Sequence, residues 1–181
     1  MGVFDTNPIP SNPNSFFINV PYDGDVYGSI HTHPLKAIAM FSWTDMHSLY
    51  KMYEKSAAHN GKDVTIILLA KTNDANGNLI NNTYALTINN PALFLDKMDK
   101  ELNAMSGTLK EKLKEKDESV KAKYDFIGRG SANWEKGFLN YFKDYNISLM
   151  KANPTFTGWN ELKLNDSSLP YDKQTITPNP C

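Results

Sequence analysis

Two of the four histidines in this chain, His31 and His33, are separated by one residue in a segment typical of a β-strand. Alternate residues of a strand point to the same side of a sheet, so both imidazoles can approach one cation. Asp45 follows Ser42 by three residues, where a helical pattern begins, and a helix there would present its carboxylate from the first turn. Two imidazole nitrogens and one carboxylate oxygen form a three-ligand zinc set that leaves a position for water, as in catalytic sites.

Each of these residues also has a purely structural interpretation. A His-x-His pair arises in some chains from composition alone. Ser42 suits the N-cap of a helix, and Asp45 suits the third helical position, where it would complete a capping box. The combination favours a metal site, because a strand end, Pro34 and a helix start follow one another in the order that a shared site requires.

Hydrophobic periodicity predicts the elements that position these residues. Asn76-Gly77 indicates a hairpin turn, and the run from Val64 to Ala70 is apolar on both faces, as in a central strand. His47 is predicted to be a surface or rim residue, and Trp43 is predicted to pack in the core. The predicted elements of the first half are strands at 16–20, 26–31, 64–70 and 82–88 and a helix at 42–59, with a hairpin turn at 21–25.

The second half begins with Asn90-Pro91, which predicts the start of a long helix. One apolar stripe at helical spacing runs from Phe94 to Leu113, and the charged run that follows is expected to be a solvated surface. We divide the chain into a metal-binding domain at 1–125 and a C-terminal accessory segment at 126–181. The accessory segment is predicted to hold a helix at 132–145, short strands at 147–151 and 161–164, and a polar tail of fifteen residues.

Composition excludes several classes of function. The chain has 181 residues, 40% of them hydrophobic, so it can bury a core and is not of the disordered class. With 19 basic and 20 acidic residues it lacks the basic excess of a typical nucleic-acid binder. Its single cysteine, Cys181, allows no internal disulfide. We expect no nucleic-acid partner, no membrane segment and no signal peptide, and a cytoplasmic location if the chain is complete.

The strings His-Thr-His-Pro at 31–34 and Ser-Trp-Thr-Asp at 42–45 resemble the JAMM motif of JAB/MPN-domain metalloproteases. The resemblance covers residues 16–105 and implies an α/β (α+β) fold, with a mixed sheet flanked by helices in a cytidine-deaminase-like arrangement. It also implies that His31, His33 and Asp45 bind Zn²⁺ and that Ser42 donates a hydrogen bond to the oxyanion. The implied substrate is a peptide or isopeptide, and the implied activity is hydrolysis of an amide bond.

The sequence departs from the family pattern at two points. Eight residues, at 34–41, separate His33 from Ser42, one more than is usual in the family. The family uses an upstream Glu as general base, whereas the thirty residues before His31 contain no Glu. The acids in that stretch are Asp5, Asp23 and Asp25.

Three explanations of the missing Glu stay open. The chain is part of a longer polypeptide that carries the Glu, or it is an inactive MPN-like interaction or scaffold module, or another residue or chain supplies the base. A different metallohydrolase, such as a PHP-type phosphoesterase, would need more ligands than four histidines readily provide.

Overall fold

The computed structural model describes residues 27–33, 37–57, 64–74, 76–128 and 130–181. The predicted strand at 16–20 and the turn at 21–25 lie outside these residues. The described part is a mixed α+β structure, with one six-stranded sheet and four helices. Its elements are β1 (Gly28–His33), α1 (Trp43–Ala57), β2 (Thr65–Asn73), β3 (Leu79–Ile88), α2 (Pro91–Asn103), α3 (Leu109–Ile127), α4 (Ser131–Tyr141), β4 (Ile147–Ala152), β5 (Trp159–Leu164) and β6 (Ile176–Pro180).

The six strands lie in the sheet in the same order as in the chain. β1 is parallel to β2, because α1 connects them as a crossover, and every later pair is antiparallel. His31 of β1 is in register with Leu68, Leu68 with Tyr84, and Tyr84 with Lys151. These four residues therefore form one row across four strands, with their side chains on the same face of the sheet.

The hydrophobic core lies on that same face. Strand side chains alternate between faces, and those that enter the core are Ile66, Leu68 and Ala70 of β2 and Tyr84 and Leu86 of β3. Each of the four helices contributes side chains to the core. No described helix is both long enough and apolar enough to cross a membrane. Core residues from the helices and from the loop before α1 include Phe41, Trp43, Met46, Leu49, Met52, Phe94, Met98, Tyr124 and Phe138.

The predicted single helix through Leu113 is wrong, because the chain turns between α2 and α3. Gly107 has a φ of 96°, a left-handed conformation that breaks the helix and that glycine adopts without strain. Thr108 then starts a new helix with a capping box, in which its hydroxyl accepts from the backbone N–H of Glu111 and the Glu111 carboxylate accepts from Thr108. Two helices thus replace one, and α3 folds back toward α1.

The predicted polar tail is also wrong in part, because residues Ile176–Pro180 form the edge strand β6. Two prolines are tolerated there, since one side of an edge strand needs no backbone donors. Strands β4 to β6 continue the sheet that begins with β1, and α3 extends across position 125. The division of the chain at 125/126 stays a prediction.

Candidate metal centre

The two histidines of the motif lie side by side on the core-facing side of β1. His31 and His33 are half-buried, whereas Ile30, before His31, and Thr32, between the two histidines, are exposed. This alternation is the two-residue period of a strand. The two imidazole centroids are 5.0 Å apart. The strand therefore brings both rings to one place, as their spacing predicts.

Asp45 reaches this place from the first turn of α1. Ser42 is the residue before the helix, and its hydroxyl accepts a 3.1 Å hydrogen bond from the backbone N–H of Asp45. In return, the Asp45 Oδ2 atom accepts from the Ser42 backbone N–H at 2.7 Å and from the Ser42 hydroxyl at 2.9 Å. This capping box fixes the carboxylate, and its other oxygen, Oδ1, lies 3.2 Å from His31 Nε2.

The three predicted ligands form a compact donor group. One donor atom from each of His31, His33 and Asp45 lies within 4.8 Å of the other two, a separation that a single metal ion can bridge. All three side chains are partly buried. The structure thus brings together the three residues that the sequence singles out as a ligand set.

His33 is oriented by the loop that follows β1. Its Nδ1 atom lies 2.7 Å from the carbonyl oxygen of Ile38. A carbonyl oxygen only accepts, so Nδ1 carries the proton and Nε2 keeps its lone pair. A backbone carbonyl on the second ring nitrogen is the usual arrangement around a metal-binding histidine, since it fixes both the ring and its tautomer.

One observation tests whether a metal ion fits this group. His31 Nε2 is buried without a hydrogen-bond partner, and its polar neighbour is the Asp45 Oδ1 atom at 3.2 Å, an ion-pair contact. A buried polar nitrogen without a partner is unfavourable by about 1–3 kcal/mol. A metal ion bound to this nitrogen would remove that penalty, so the residues present fit such an ion.

The electrostatics favour the protonation states that bind metals. Burial would raise the pKa of Asp45, but interactions with His31, His33 and the Ser42 backbone N–H hold it below its ordinary value. Burial lowers the pKa of His33, an effect that the Asp45 charge partly opposes. At neutral pH the group therefore offers a charged carboxylate and a neutral His33 imidazole.

The role predicted for Ser42 requires a rearrangement. Its hydroxyl proton is directed at Asp45 Oδ2, so the structure accounts for this side chain as a helix cap. A role as hydrogen-bond donor to an oxyanion stays a prediction. The weak candidates for a general base, Asp5, Asp23 and Asp25, lie outside the described residues. Within the described part of the chain, the only carboxylate in the donor group is that of Asp45.

The prediction for His47 is wrong, because this residue is only 6% exposed. Its ring stacks on the Trp43 ring, with centroids 6.3 Å apart, and also lies against the Tyr50 ring. Burial, with a smaller effect of Lys51, lowers the pKa of His47 to about 4. The prediction for Trp43 is confirmed, since this residue is fully buried and its indole N–H donates to the Tyr145 hydroxyl at 3.2 Å.

Two residues of α3 that the sequence did not single out also contact the turn before Asp45. Asp117 accepts from the backbone N–H of Thr44 at 2.9 Å and from the Thr44 hydroxyl. Tyr124 donates from its hydroxyl to the carbonyl oxygen of Phe41 at 2.7 Å. The available signal was the seven-residue spacing of Asp117 and Tyr124, which places both on one face of a helix within a charged run.

Comparison of the chain with models of protein families, with curated proteins and with solved structures gave no match. Membership of the JAB/MPN family therefore stays a prediction from the motif.

Proposed function

We propose that this chain is a zinc-dependent, JAMM-like hydrolase that cleaves an amide bond in a peptide or isopeptide. The observation that carries the proposal is the compact group of His31, His33 and Asp45, in which a buried His31 nitrogen makes no hydrogen bond. Two nitrogens and one oxygen suit Zn²⁺, and a site with three protein ligands leaves a position for water. The proposal includes a JAB/MPN-like core, for which the parallel β1–α1–β2 unit is suitable.

His31 Nε2, His33 Nε2 and Asp45 Oδ1 would hold the ion. The bound zinc would lower the pKa of a coordinated water to about 7 and polarise the carbonyl oxygen of the substrate. The Ile38 carbonyl keeps the proton of His33 on Nδ1, and the capping box engages Asp45 Oδ2, so that Oδ1 would be the oxygen available to an ion. These contacts hold the ligands in place before any substrate binds.

Ser42 would serve the reaction by turning its hydroxyl from Asp45 toward the substrate carbonyl. Asp45 Oδ2 would keep the 2.7 Å hydrogen bond from the Ser42 backbone N–H during that rotation, so the helix cap would not be lost. The hydroxyl could then donate to the oxygen on which negative charge develops.

The donor group itself supplies no general base, because its one carboxylate, Asp45, is a proposed ligand. A base must lie within hydrogen-bond reach of the proton that it removes. A Glu in a longer polypeptide, one of the upstream aspartates or a residue of another chain would fill that role.

A second function is favoured by the same observation. In the described residues, the donor group holds one carboxylate, which is needed as a ligand. An MPN-like interaction or scaffold module would keep the metal ligands and the fold without a base. Such a module would bind zinc but would not hydrolyse amides.

Hydrolysis in ¹⁸O-labelled water tests the two functions. The full chain, loaded with zinc, would be incubated with peptide mixtures and with peptides joined through a lysine side chain, and the products would be analysed by mass spectrometry. We expect ¹⁸O in a newly formed carboxylate with the parent and with Asp96→Asn, a control at an exposed aspartate, but not with Asp45→Asn. Zinc binding without any cleavage would instead support the interaction module.

A further inference from the structure

Helix α3 contacts the turn that carries the metal ligand on both sides of Ser42. Tyr124 donates to the carbonyl of Phe41, the residue before Ser42, at 2.7 Å. Asp117 accepts from the backbone N–H and from the hydroxyl of Thr44, the residue before Asp45. The turn from Phe41 to Asp45 is thus held from outside by two side chains of one helix.

Each of these contacts leads to a proposed ligand through one further residue. The Phe41 ring lies against the His31 ring, with centroids 6.2 Å apart, so Tyr124 fixes the residue that packs beside His31. Thr44 is the direct neighbour of Asp45 in the first turn of α1, so Asp117 fixes the backbone from which the carboxylate extends. Tyr124 thus acts on the His31 side of the donor group and Asp117 on the Asp45 side.

Burial strengthens the Tyr124 hydrogen bond, whereas the hydrogen bonds of Asp117 are partly buried. Tyr124 is 1% exposed, and Val120, which lies between the two residues on the same face of α3, is equally buried. Hydrogen bonds in such a dry region are stronger than in water, and unpaired partners there are costly. Burial, with added effects from Asp45 and Asp117, raises the pKa of Tyr124, so its hydroxyl keeps the proton that it donates.

We propose that Asp117 and Tyr124 are positioning residues for the metal centre, because they fix the turn that sets the distance between Asp45 Oδ1 and the two imidazoles. This inference rests on metal binding by the proposed site and is independent of amide hydrolysis. The charged helix α3 is then part of the metal-binding unit. A merely structural role would dock α3 on α1 without any effect on the metal.

Cobalt binding distinguishes these two roles. The full chain would be titrated with Co²⁺ alone, whose visible absorption reports the geometry of its ligands, and the thermal stability of each variant would be measured without metal. Tyr124→Phe removes one hydroxyl, and Asp117→Ala removes both acceptors of Thr44. Asp117→Asn is the conservative variant, since its amide keeps an acceptor for the Thr44 N–H and can donate to the Thr44 hydroxyl.

One matched control lies on α4 and the other on α3. Tyr141→Phe removes a tyrosine hydroxyl of α4 that contacts Ser119 of α3 at 3.3 Å, away from the turn. Glu118→Ala removes the exposed acid next to Asp117. The Glu118 carboxylate is paired loosely with Lys114, at 3.8 Å. Neither residue contacts the turn in the hydrogen bonds that the structure shows.

We expect Tyr124→Phe and Asp117→Ala to weaken Co²⁺ binding by about 10- to 100-fold and to change the absorption bands, as is typical when contacts behind the ligands are lost. Asp117→Asn and both controls should bind within about threefold of the parent, which is the scale of a minor perturbation. Unchanged affinity and spectra in Tyr124→Phe and Asp117→Ala would overturn this inference but leave the metal site intact. A parent that binds no cobalt would refute the proposed site and the inference together.

Discussion

Two partly buried polar clusters lie on the same face of the sheet, and they differ in whether their polar atoms are all hydrogen-bonded. The metal-ligand cluster of His31, His33 and Asp45 is at the β1 end. The ion-pair cluster consists of Tyr84, Glu135 and Lys151, farther along the row of residues that starts at His31. Glu135 Oε1 accepts from the Tyr84 hydroxyl at 2.7 Å and from Lys151 Nζ at 2.8 Å.

The ion-pair cluster has every feature of a satisfied structural network. Glu135 is 5% exposed, and the Lys151 ammonium also lies over the Tyr84 ring, 5.5 Å from its centroid. Burial and the adjacent Glu135 charge raise the pKa of Tyr84, so the tyrosine stays a neutral donor. The metal-ligand cluster instead leaves His31 Nε2 buried without a partner. The comparison indicates that the ion-pair cluster stabilises the fold, whereas the metal-ligand cluster has an unsatisfied nitrogen that the proposed ion would bind.

The largest effect on stability is expected from Glu135→Ala. This change leaves the buried Tyr84 hydroxyl and Lys151 without their acceptor, so the free energy of unfolding should fall by about 3 kcal/mol. Urea unfolding of the metal-free protein measures the loss, and metal binding by the folded variant should be unchanged. A loss below about 0.5 kcal/mol would show that the ion-pair cluster is not structural.

His31→Ala should abolish metal binding but have little effect on the stability of the metal-free protein. In metal-free protein, we expect a change in the free energy of unfolding of less than about 1 kcal/mol, because the lost contact with Asp45 is offset by removal of a buried nitrogen that makes no hydrogen bond. Free zinc at about one hundred times its Kd should stabilise the parent by about 2.7 kcal/mol and should not stabilise the variant. Equal stabilisation of both proteins by zinc would place the binding site elsewhere.

Ser42→Ala should lower the free energy of unfolding by less than Glu135→Ala does. It removes the hydroxyl that caps α1 and should lower the free energy of unfolding of metal-free protein by about 1 kcal/mol. Ser42→Thr keeps the hydroxyl and serves as the control. If Ser42→Ala were as stable as the parent, the capping box would not be what fixes Asp45.

The smallest effect that we expect is on the pH dependence of stability. Burial raises the pKa of Asp117 above its ordinary value of 3.8, with a further contribution from Asp45, although Thr44 opposes it. The folded state therefore binds this proton more tightly than the unfolded state. The protonated Asp117 therefore contributes most to the free energy of unfolding below pH 3.8, and this contribution is lost as the pH rises through the raised pKa.

Asp117→Asn removes this titration, which provides the test. As the pH rises from about 3.8 toward neutrality, the metal-free parent should lose stability relative to Asp117→Asn, and the difference should then become constant. Chemical unfolding at a series of pH values in the presence of a chelator measures it. A difference that does not change with pH would show that Asp117 has an ordinary pKa in the folded protein.

Local sequence signals predicted much of the fold and the ligand group. The apolar run before Ala70 became β2, Asn76-Gly77 lies between β2 and β3, and Ser42 caps α1. The His31 and His33 spacing and the position of Asp45 three residues into the helix start sufficed to predict the cluster. Each of these signals depends on neighbours within a few residues, where backbone geometry limits the alternatives.

What the sequence did not reveal depends on contacts between distant elements. The apolar spacing continues past Gly107 and predicts one helix, whereas the capping box of Thr108 and Glu111 starts a second. His47 is buried because Trp43 and Tyr50 pack around it within the assembled core. Asp117 looked like one acid in a solvated charged run, and only the return of α3 to α1 brings it to Thr44.

The most direct test of the metal centre is the zinc content of the purified full chain. The protein would be prepared without chelator, supplied with zinc, freed of excess metal and analysed by elemental mass spectrometry, beside His31→Ala/His33→Ala and the control Asp96→Asn. We predict about one zinc per chain in the parent and the control, and none in the double variant, since removal of two of three ligands abolishes a site of this kind. A parent without zinc, or a double variant that retains it, would contradict a metal centre at His31, His33 and Asp45.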